Sequence, residues 1–148
     1  MKVRERLNQH LEEQGLGTPD GWFGVRLFGK RIRLFPQGPL APLLTSHDLH
    51  HLYTGYGTHL GGEAEVVAWE ISSGGFGKYW FAWLDIGKVL VLAMLFPKRF
   101  RAAWIRGRQS RNLYGQDLEQ VLEWEWSVLV KWVESPSLPP SRPSTPSA

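Results

Sequence analysis

Most of the chain repeats apolar residues at the three- and four-residue spacing of amphipathic helices. Val3 and Leu7 begin this pattern near the N-terminus. Two further helices, separated by glycines, are expected at about 46–72, and a last one is expected at 117–134. The pattern therefore predicts a mainly α protein, with one compact helical domain over residues 1–134.

One segment alternates with the two-residue period of a β-strand instead. Between Trp22 and Phe35, apolar residues alternate with arginines on both sides of Gly29-Lys30. This pattern predicts an N-terminal β-hairpin at about 22–35 with one basic face.

The most apolar stretch, residues 79–96, is interrupted only by Asp85 and Lys88. A helix that is apolar nearly all round is either buried or in contact with lipid. Each central charge costs about 2.5–3.5 kcal/mol in membrane insertion. We therefore expect a core helix at about 79–96 that lines an apolar pocket, rather than a transmembrane span.

Composition sets further limits. With 148 residues, 43% of them apolar, the chain suits a single domain. It has no cysteine, which excludes disulfides, thiolate zinc sites and thiol nucleophiles. The first residues alternate charges, and no signal peptide is visible. Residues 135–148 are rich in proline and serine, which predicts a disordered tail.

The charges are unevenly distributed. No lysine or arginine occurs between Arg33 and Lys78. Four carboxylates fall in this gap, and such a stretch is suited to holding an external cation. They are Asp48, Glu63, Glu65 and Glu70, of which Glu63 and Glu70 share a helix face.

The clearest chemical signal lies inside this gap. Each helical residue advances by about 100°, so His47, Asp48 and His51 share one face. The glycines that follow can reverse the chain and return Glu63 to the same place. Imidazoles and carboxylates together suit zinc, manganese, cobalt or iron. We predict a divalent metal site formed by His47, Asp48, His51 and Glu63, with His50 outside the ligand set.

Three other interpretations use the same residues. The three histidines also fit a histidine box of membrane desaturases, but those enzymes need several boxes, and only two other histidines occur. The His47-Asp48 pair fits the HD phosphohydrolases, for which only His10 and Asp85 or Asp117 could complete the site. The histidines could also be satisfied structural residues without a metal.

The pattern HDxxH, eleven residues and then Glu is matched in full by His47, Asp48, His51 and Glu63. It resembles the motif of the coenzyme Q biosynthesis protein 4 family, in a short bacterial-type member. The flanking text HDLHHLYTGYGTHLGGEAEVVAWE and the later stretch RGRQSRNLY also resemble that family. The resemblance spans roughly residues 45–120, and the chain lacks much of the N-terminal helical region of longer members.

The resemblance implies a ubiquinone biosynthesis protein, peripheral on the inner face of the bacterial cell membrane. It would bind a divalent metal and a polyprenylated aromatic precursor. Members are associated with oxidative C1 decarboxylation of a prenylated hydroxybenzoate-type ring, and with organising other quinone-biosynthesis enzymes. A non-catalytic, lipid-binding scaffold with a structural metal is the alternative. We expect no nucleic-acid partner, and homodimer formation stays open.

A basic segment follows the apolar stretch after Pro97. Arginines interleaved with aromatic residues beside an apolar helix are suited to anionic lipid headgroups or phosphate. A solvated helix face is the simpler interpretation. The candidate contact residues are Arg99, Arg101, Arg106, Arg108 and Arg111.

Overall fold

A computed structural model describes the fold of most of the chain. The predicted disordered tail lies outside the described residues, except for Ser135. In the two strands only the backbone is described. The residues that the structure describes are 1–13, 22–27, 30–36, 41–79, 82 and 86–135.

The mainly helical class is confirmed. Within the described residues the chain forms seven helices. They are α1 (Val3–Glu13), α2 (Ala41–Thr54), α3 (Leu60–Ser72), α4 (Ile86–Leu95), α5 (Pro97–Gly107), α6 (Leu118–Leu122) and α7 (Trp126–Val133). Of these, α2 and α3 carry the residues of the predicted metal site.

Two strands precede α2 in the segment where alternation predicted a hairpin. They are β1 (Trp22–Leu27) and β2 (Lys30–Pro36), and their backbones pair antiparallel. The register shifts between Phe23 and Gly24. All other named elements of the described fold are helices.

The helix that carries the histidines begins earlier than the sequence predicted. We expected its start near residue 46, but α2 begins at Ala41. Asp48 therefore lies in the middle of α2. Its carboxylate is too far from the helix N-terminus to gain from the helix dipole, which acts within the first turn.

The structure corrects the prediction of one apolar helix over 79–96. Helix α4 begins only at Ile86, and Tyr79 precedes it in a turn, where its backbone N–H donates to the Phe76 carbonyl at 2.9 Å. The side chains of Tyr79 and Phe76 are buried with Tyr114 in a small apolar cluster. This anchoring holds the Tyr79 segment outside the helix.

Helix α4 is also not a core helix. Only Val89 and Leu92 of α4 are buried. The opposite face carries five exposed apolar side chains, with Met94 80% exposed. They are Ile86, Leu90, Val91, Met94 and Leu95.

The predicted last helix is divided in two. Between α6 and α7 the backbone pairs with the N-terminus: Val3 N–H donates to the Trp124 carbonyl at 2.9 Å, and Trp126 N–H donates to the Met1 carbonyl at 3.0 Å. These long-range bonds replace helical ones at the break. Sequence periodicity contains no sign of them.

The main core joins α1 and α7 to the site helices. Trp69 of α3 and Leu49 of α2 are fully buried against Val3 of α1 and Leu129 of α7. The cluster therefore fixes the position of α2 and α3 relative to each other. This is the packing on which the geometry of the candidate site depends.

Helices α3 and α5 approach so closely that one position must be glycine. A Cβ on Gly107 would lie 2.6 Å from the Trp69 carbonyl oxygen and would also meet the Ser72 hydroxyl. Backbone atoms cannot move aside without separating the two helices. Gly107 is therefore required by packing.

We expect Gly107→Ala to destabilise the fold by about 1–3 kcal/mol, because overpacking forces the helices apart. Gly87→Ala in α4 is the matched control. A Cβ there meets no atom within 4 Å, so the control should stabilise by up to about 1 kcal/mol. Chemical denaturation measures both, and equal stability of the two variants would contradict the close crossing.

Candidate metal centre

Three of the predicted ligands converge between α2 and α3. The His51 Nε2 atom lies 3.2 Å from His47 Nε2 and 3.2 Å from Glu63 Oε1. The distance from His47 Nε2 to Glu63 Oε2 is 3.5 Å. One ligand atom from each residue can be chosen so that all three lie within 4.8 Å of one another.

The glycine-rich connection brings the two helices together as predicted. Gly55 ends α2 with a φ of 76°, a conformation that favours glycine. A Cβ on Gly62 would collide with the Gly57 carbonyl oxygen, so the backbones touch there. His59 caps α3, its Nδ1 accepting from the Gly62 N–H at 3.1 Å. Glu63 is thereby fixed opposite α2.

The hydrogen bonds at the other ring nitrogens orient both histidines. His51 Nδ1 lies 3.0 Å from the Tyr56 carbonyl oxygen, which can only accept, so this nitrogen carries a proton. His47 Nδ1 donates to Glu70 Oε1 at 2.8 Å. Both Nε2 atoms are therefore left to face Glu63. Metal-binding histidines usually have such a partner on the second nitrogen.

The donor set fits a tetrahedral metal ion. Bonds of about 2.0–2.1 Å to zinc place neighbouring ligand atoms about 3.3–3.4 Å apart in a tetrahedron, close to the 3.2 Å from His51 Nε2 to His47 Nε2 and to Glu63 Oε1. Two imidazole lone pairs and a carboxylate repel one another at such distances unless a proton or a cation lies between them. The arrangement of the three side chains could hold one metal ion.

Asp48, the fourth predicted ligand, is not in this group. It follows His47 on α2, so its side chain leaves the helix about 100° away. Burial raises the pKa of Asp48, while the nearby histidines His47 and His51 oppose that change. Asp48 is therefore electrostatically coupled to the centre without joining the three ligands.

A second glutamate, Glu70, contacts two of the histidines, although the sequence indicated no specific role for it. Glu70 is 1% exposed, and its Oε1 accepts from His47 Nδ1, from His50 Nδ1 at 2.7 Å and from the Tyr114 hydroxyl at 2.6 Å. The sequence signals for Glu70 were its place in the stretch without lysine or arginine and its position two turns after Glu63 on the same face of α3. That spacing did not reveal the three donors.

His50 lies outside the ligand group. Its Nδ1 donates to Glu70, and its Nε2 accepts from the Leu113 backbone N–H at 3.0 Å. Both nitrogens are thus used within the protein. Burial lowers the pKa of His50, so the ring stays neutral and structural.

Electrostatics link the two glutamates to His47. Burial alone would raise the pKa of Glu63, but the imidazoles of His47 and His51 beside its carboxylate outweigh it and lower this pKa to about 2. Burial alone would lower the pKa of His47, but the charges of Glu70 and Glu63 raise it well above its ordinary value. In the metal-free protein His47 therefore holds a proton that a metal ion would displace.

Three of the five candidate headgroup arginines make contacts within the protein. Arg99 pairs with Glu65 at 2.7 Å. Arg106 donates to the Thr54 carbonyl oxygen at 2.8 Å, and Arg111 lies over a tryptophan ring of α7. The remaining two are exposed, namely Arg101 and Arg108.

The chain matches no protein-family model, no curated protein and no solved structure. Among the described residues, every helix is too short or too polar to cross a bilayer. The geometry of the site therefore carries the functional argument.

In the metal-free protein, Glu63 should stabilise the fold at neutral pH. Its pKa of about 2 lies below the ordinary 4.5, so this contribution is complete above about pH 4.5 and is lost as the pH falls toward 2. We expect Glu63→Gln to lower stability at pH 6 by about 1–2 kcal/mol, allowing for its partial exposure. Chemical denaturation with chelator present measures this effect.

The free energy of unfolding of Glu63→Gln should fall less steeply between pH 5 and pH 2 than that of the wild type. Glu65→Gln is the control, because Glu65 lies on the same helix but pairs with Arg99. The stability of Glu65→Gln should fall between pH 5 and pH 2 as steeply as that of the wild type. If the stability of Glu63→Gln fell as steeply too, the coupling of Glu63 to the histidines would be wrong.

Proposed function

We propose that this protein binds one divalent metal ion, preferably zinc, through His47, His51 and Glu63. The observation that carries the proposal is the convergence of both Nε2 atoms on the Glu63 carboxylate: His51 Nε2 lies 3.2 Å from Oε1 and His47 Nε2 lies 3.5 Å from Oε2. The second nitrogen of each histidine is already bonded. His51 is buried, whereas the side chain of Glu63 is 33% exposed. An ion could therefore enter from the side of Glu63.

The proposed fourth ligand is Asp48, which would need a change of side-chain conformation to join the other three. With Glu63 it would neutralise a divalent ion. Alternatively, three protein ligands leave a fourth position for water or substrate, as in catalytic zinc sites. Manganese, cobalt and iron accept the same nitrogen and oxygen ligands.

We further propose that the exposed apolar face of α4 contacts a membrane surface or a prenyl chain. Leu90, Val91 and Leu95 are each more than half exposed, and Met94 is 80% exposed. Contiguous exposed apolar side chains mark interaction surfaces. Lys98 and Arg101 at the start of α5 are exposed nearby in sequence, which supports contact with anionic headgroups.

On the basis of the sequence resemblance, we also propose a role in ubiquinone biosynthesis, to which a metal site and an apolar surface would both be suited. The substrate would be a polyprenylated hydroxybenzoate-type ring, and the reaction an oxidative C1 decarboxylation. The C1 carboxyl group would leave as carbon dioxide, a hydroxyl group would replace it, and dioxygen would be reduced to hydrogen peroxide with water as the co-reactant. A bound metal would supply a Lewis acid for an oxygen ligand. His47, His51 and Glu63 would hold it, and α4 would hold the prenyl chain at the inner face of the cell membrane.

The second candidate is a non-catalytic lipid-binding scaffold with a structural metal. The feature that favours it is the wide exposed face of α4, which could receive lipid or other quinone-biosynthesis enzymes. In that role the ion would fix α2 against α3. Either function requires the same metal site.

We expect purified wild-type protein to hold one zinc ion per chain. Loss of a direct ligand should weaken binding more than the roughly 10–100-fold cost of losing a supporting hydrogen bond, so Glu63→Gln should lower zinc affinity by more than about hundredfold. Competition with a chromogenic chelator measures it. Asp48→Asn should match this loss if Asp48 is a ligand, and undiminished zinc in Glu63→Gln would refute the site.

We expect the metal-loaded protein to convert a prenylated hydroxybenzoate in vesicles, with dioxygen, to the decarboxylated ring. Product analysis by mass spectrometry measures the conversion. The metal-free protein and Glu63→Gln serve as controls, because both lack the proposed ion. Vesicle binding without product would support the scaffold instead.

A further inference from the structure

Glu70 is a buried carboxylate with an unusual set of partners. All three donors, on His47, His50 and Tyr114, meet the same oxygen, Oε1, at 2.6–2.8 Å. Among the ion pairs of the described residues, Glu70 has histidine partners and no lysine or arginine. A buried charge is costly unless a positive charge compensates it.

Only one of the three donors can carry that positive charge. Tyr114 offers a neutral hydroxyl. His50 must stay neutral, because its Nε2 accepts the Leu113 N–H. His47 remains, and its Nε2 faces His51 and Glu63 in the ligand group. The charge of Glu70 is therefore compensated through the same ring that would bind the metal.

The position of Glu70 is itself fixed from a distant part of the chain. The Asn112 side chain donates to the Glu70 carbonyl oxygen at 2.9 Å and to the Gly75 carbonyl oxygen at 2.7 Å. Tyr114, two residues later, holds the carboxylate itself. Glu70 thus has a fixed backbone and a fixed side chain.

We infer that Glu70 is a positioning residue for the metal centre. Its carboxylate holds the proton of His47 on Nδ1, turns Nε2 toward the ion and increases the basicity of the ring. This inference rests on the proposed metal binding and extends it to a residue that would not touch the ion. Hydrogen-bonded carboxylates beside metal-binding histidines act in this way.

The first experiment compares the zinc affinity of Glu70→Gln with that of wild type, by chelator competition. Glutamine keeps the size of the side chain and removes its charge. We expect affinity to fall by about 10–100-fold with one zinc still bound per chain. Glu65→Gln is the matched control, since Glu65 lies on the same helix and pairs with Arg99. Its affinity should equal that of wild type.

The second experiment detects the hydrogen bond itself by ¹H–¹⁵N NMR of the zinc-loaded protein. In wild type, the His47 Nδ1 proton should lie further downfield than that of His51, because its acceptor is a carboxylate and not the Tyr56 carbonyl. In Glu70→Gln the His47 signal should move upfield. The His51 signal should stay, which a general loss of structure would not allow.

The outcomes separate the two proposals. If wild type bound no zinc, the metal proposal and this inference would both fall. If Glu63→Gln lost zinc but Glu70→Gln bound it as tightly as wild type, only the inference would fall. Should Glu70→Gln not fold, the wild-type spectrum decides: equal shifts for the two Nδ1 protons, or zinc on His47 Nδ1, would overturn the inference.

Discussion

The described structure depends on keeping one carboxylate charged inside the protein. Glu70 is 1% exposed and accepts three hydrogen bonds at one oxygen. A buried carboxylate without donors would destabilise the fold, whereas one that accepts several hydrogen bonds holds its donors in a single arrangement. The three donors come from α2 and from the segment before α6, so this one interaction joins three parts of the chain.

The geometry of the candidate metal centre follows from that constraint. Once Glu70 and the Tyr56 carbonyl have taken the Nδ1 protons, both Nε2 atoms must face Glu63. Their spacing of 3.2 Å suits ligands of one ion and is unfavourable for two free lone pairs. The fold thus prepares a site whose stability improves when a cation or a proton is present.

Glu70 is a charged group in the interior, whereas helix α4 places apolar side chains on the surface. Val89 and Leu92 contribute to the interior, but Met94 is 80% exposed on the other face. An exposed apolar helix face lowers its free energy when lipid or another protein covers it. The proposed membrane contact therefore concerns a different surface from the residues that hold the metal.

The sequence by itself determined the helical class and placed His47 and His51 on one helix face, because both follow from local periodicity. Its glycines indicated the chain reversal that returns Glu63 to the histidines, but the distances between the two helices depend on the packing of α2 and α3 in the core. The sequence did not determine the helix limits at Ala41 and Ile86, or the role of Glu70. These features depend on contacts between residues that are distant in sequence. For example, Tyr114, which donates to Glu70, lies 44 positions after it. Spacing can place side chains on one helix face, but only tertiary structure decides which hydrogen bonds fix the protonated nitrogen of each histidine.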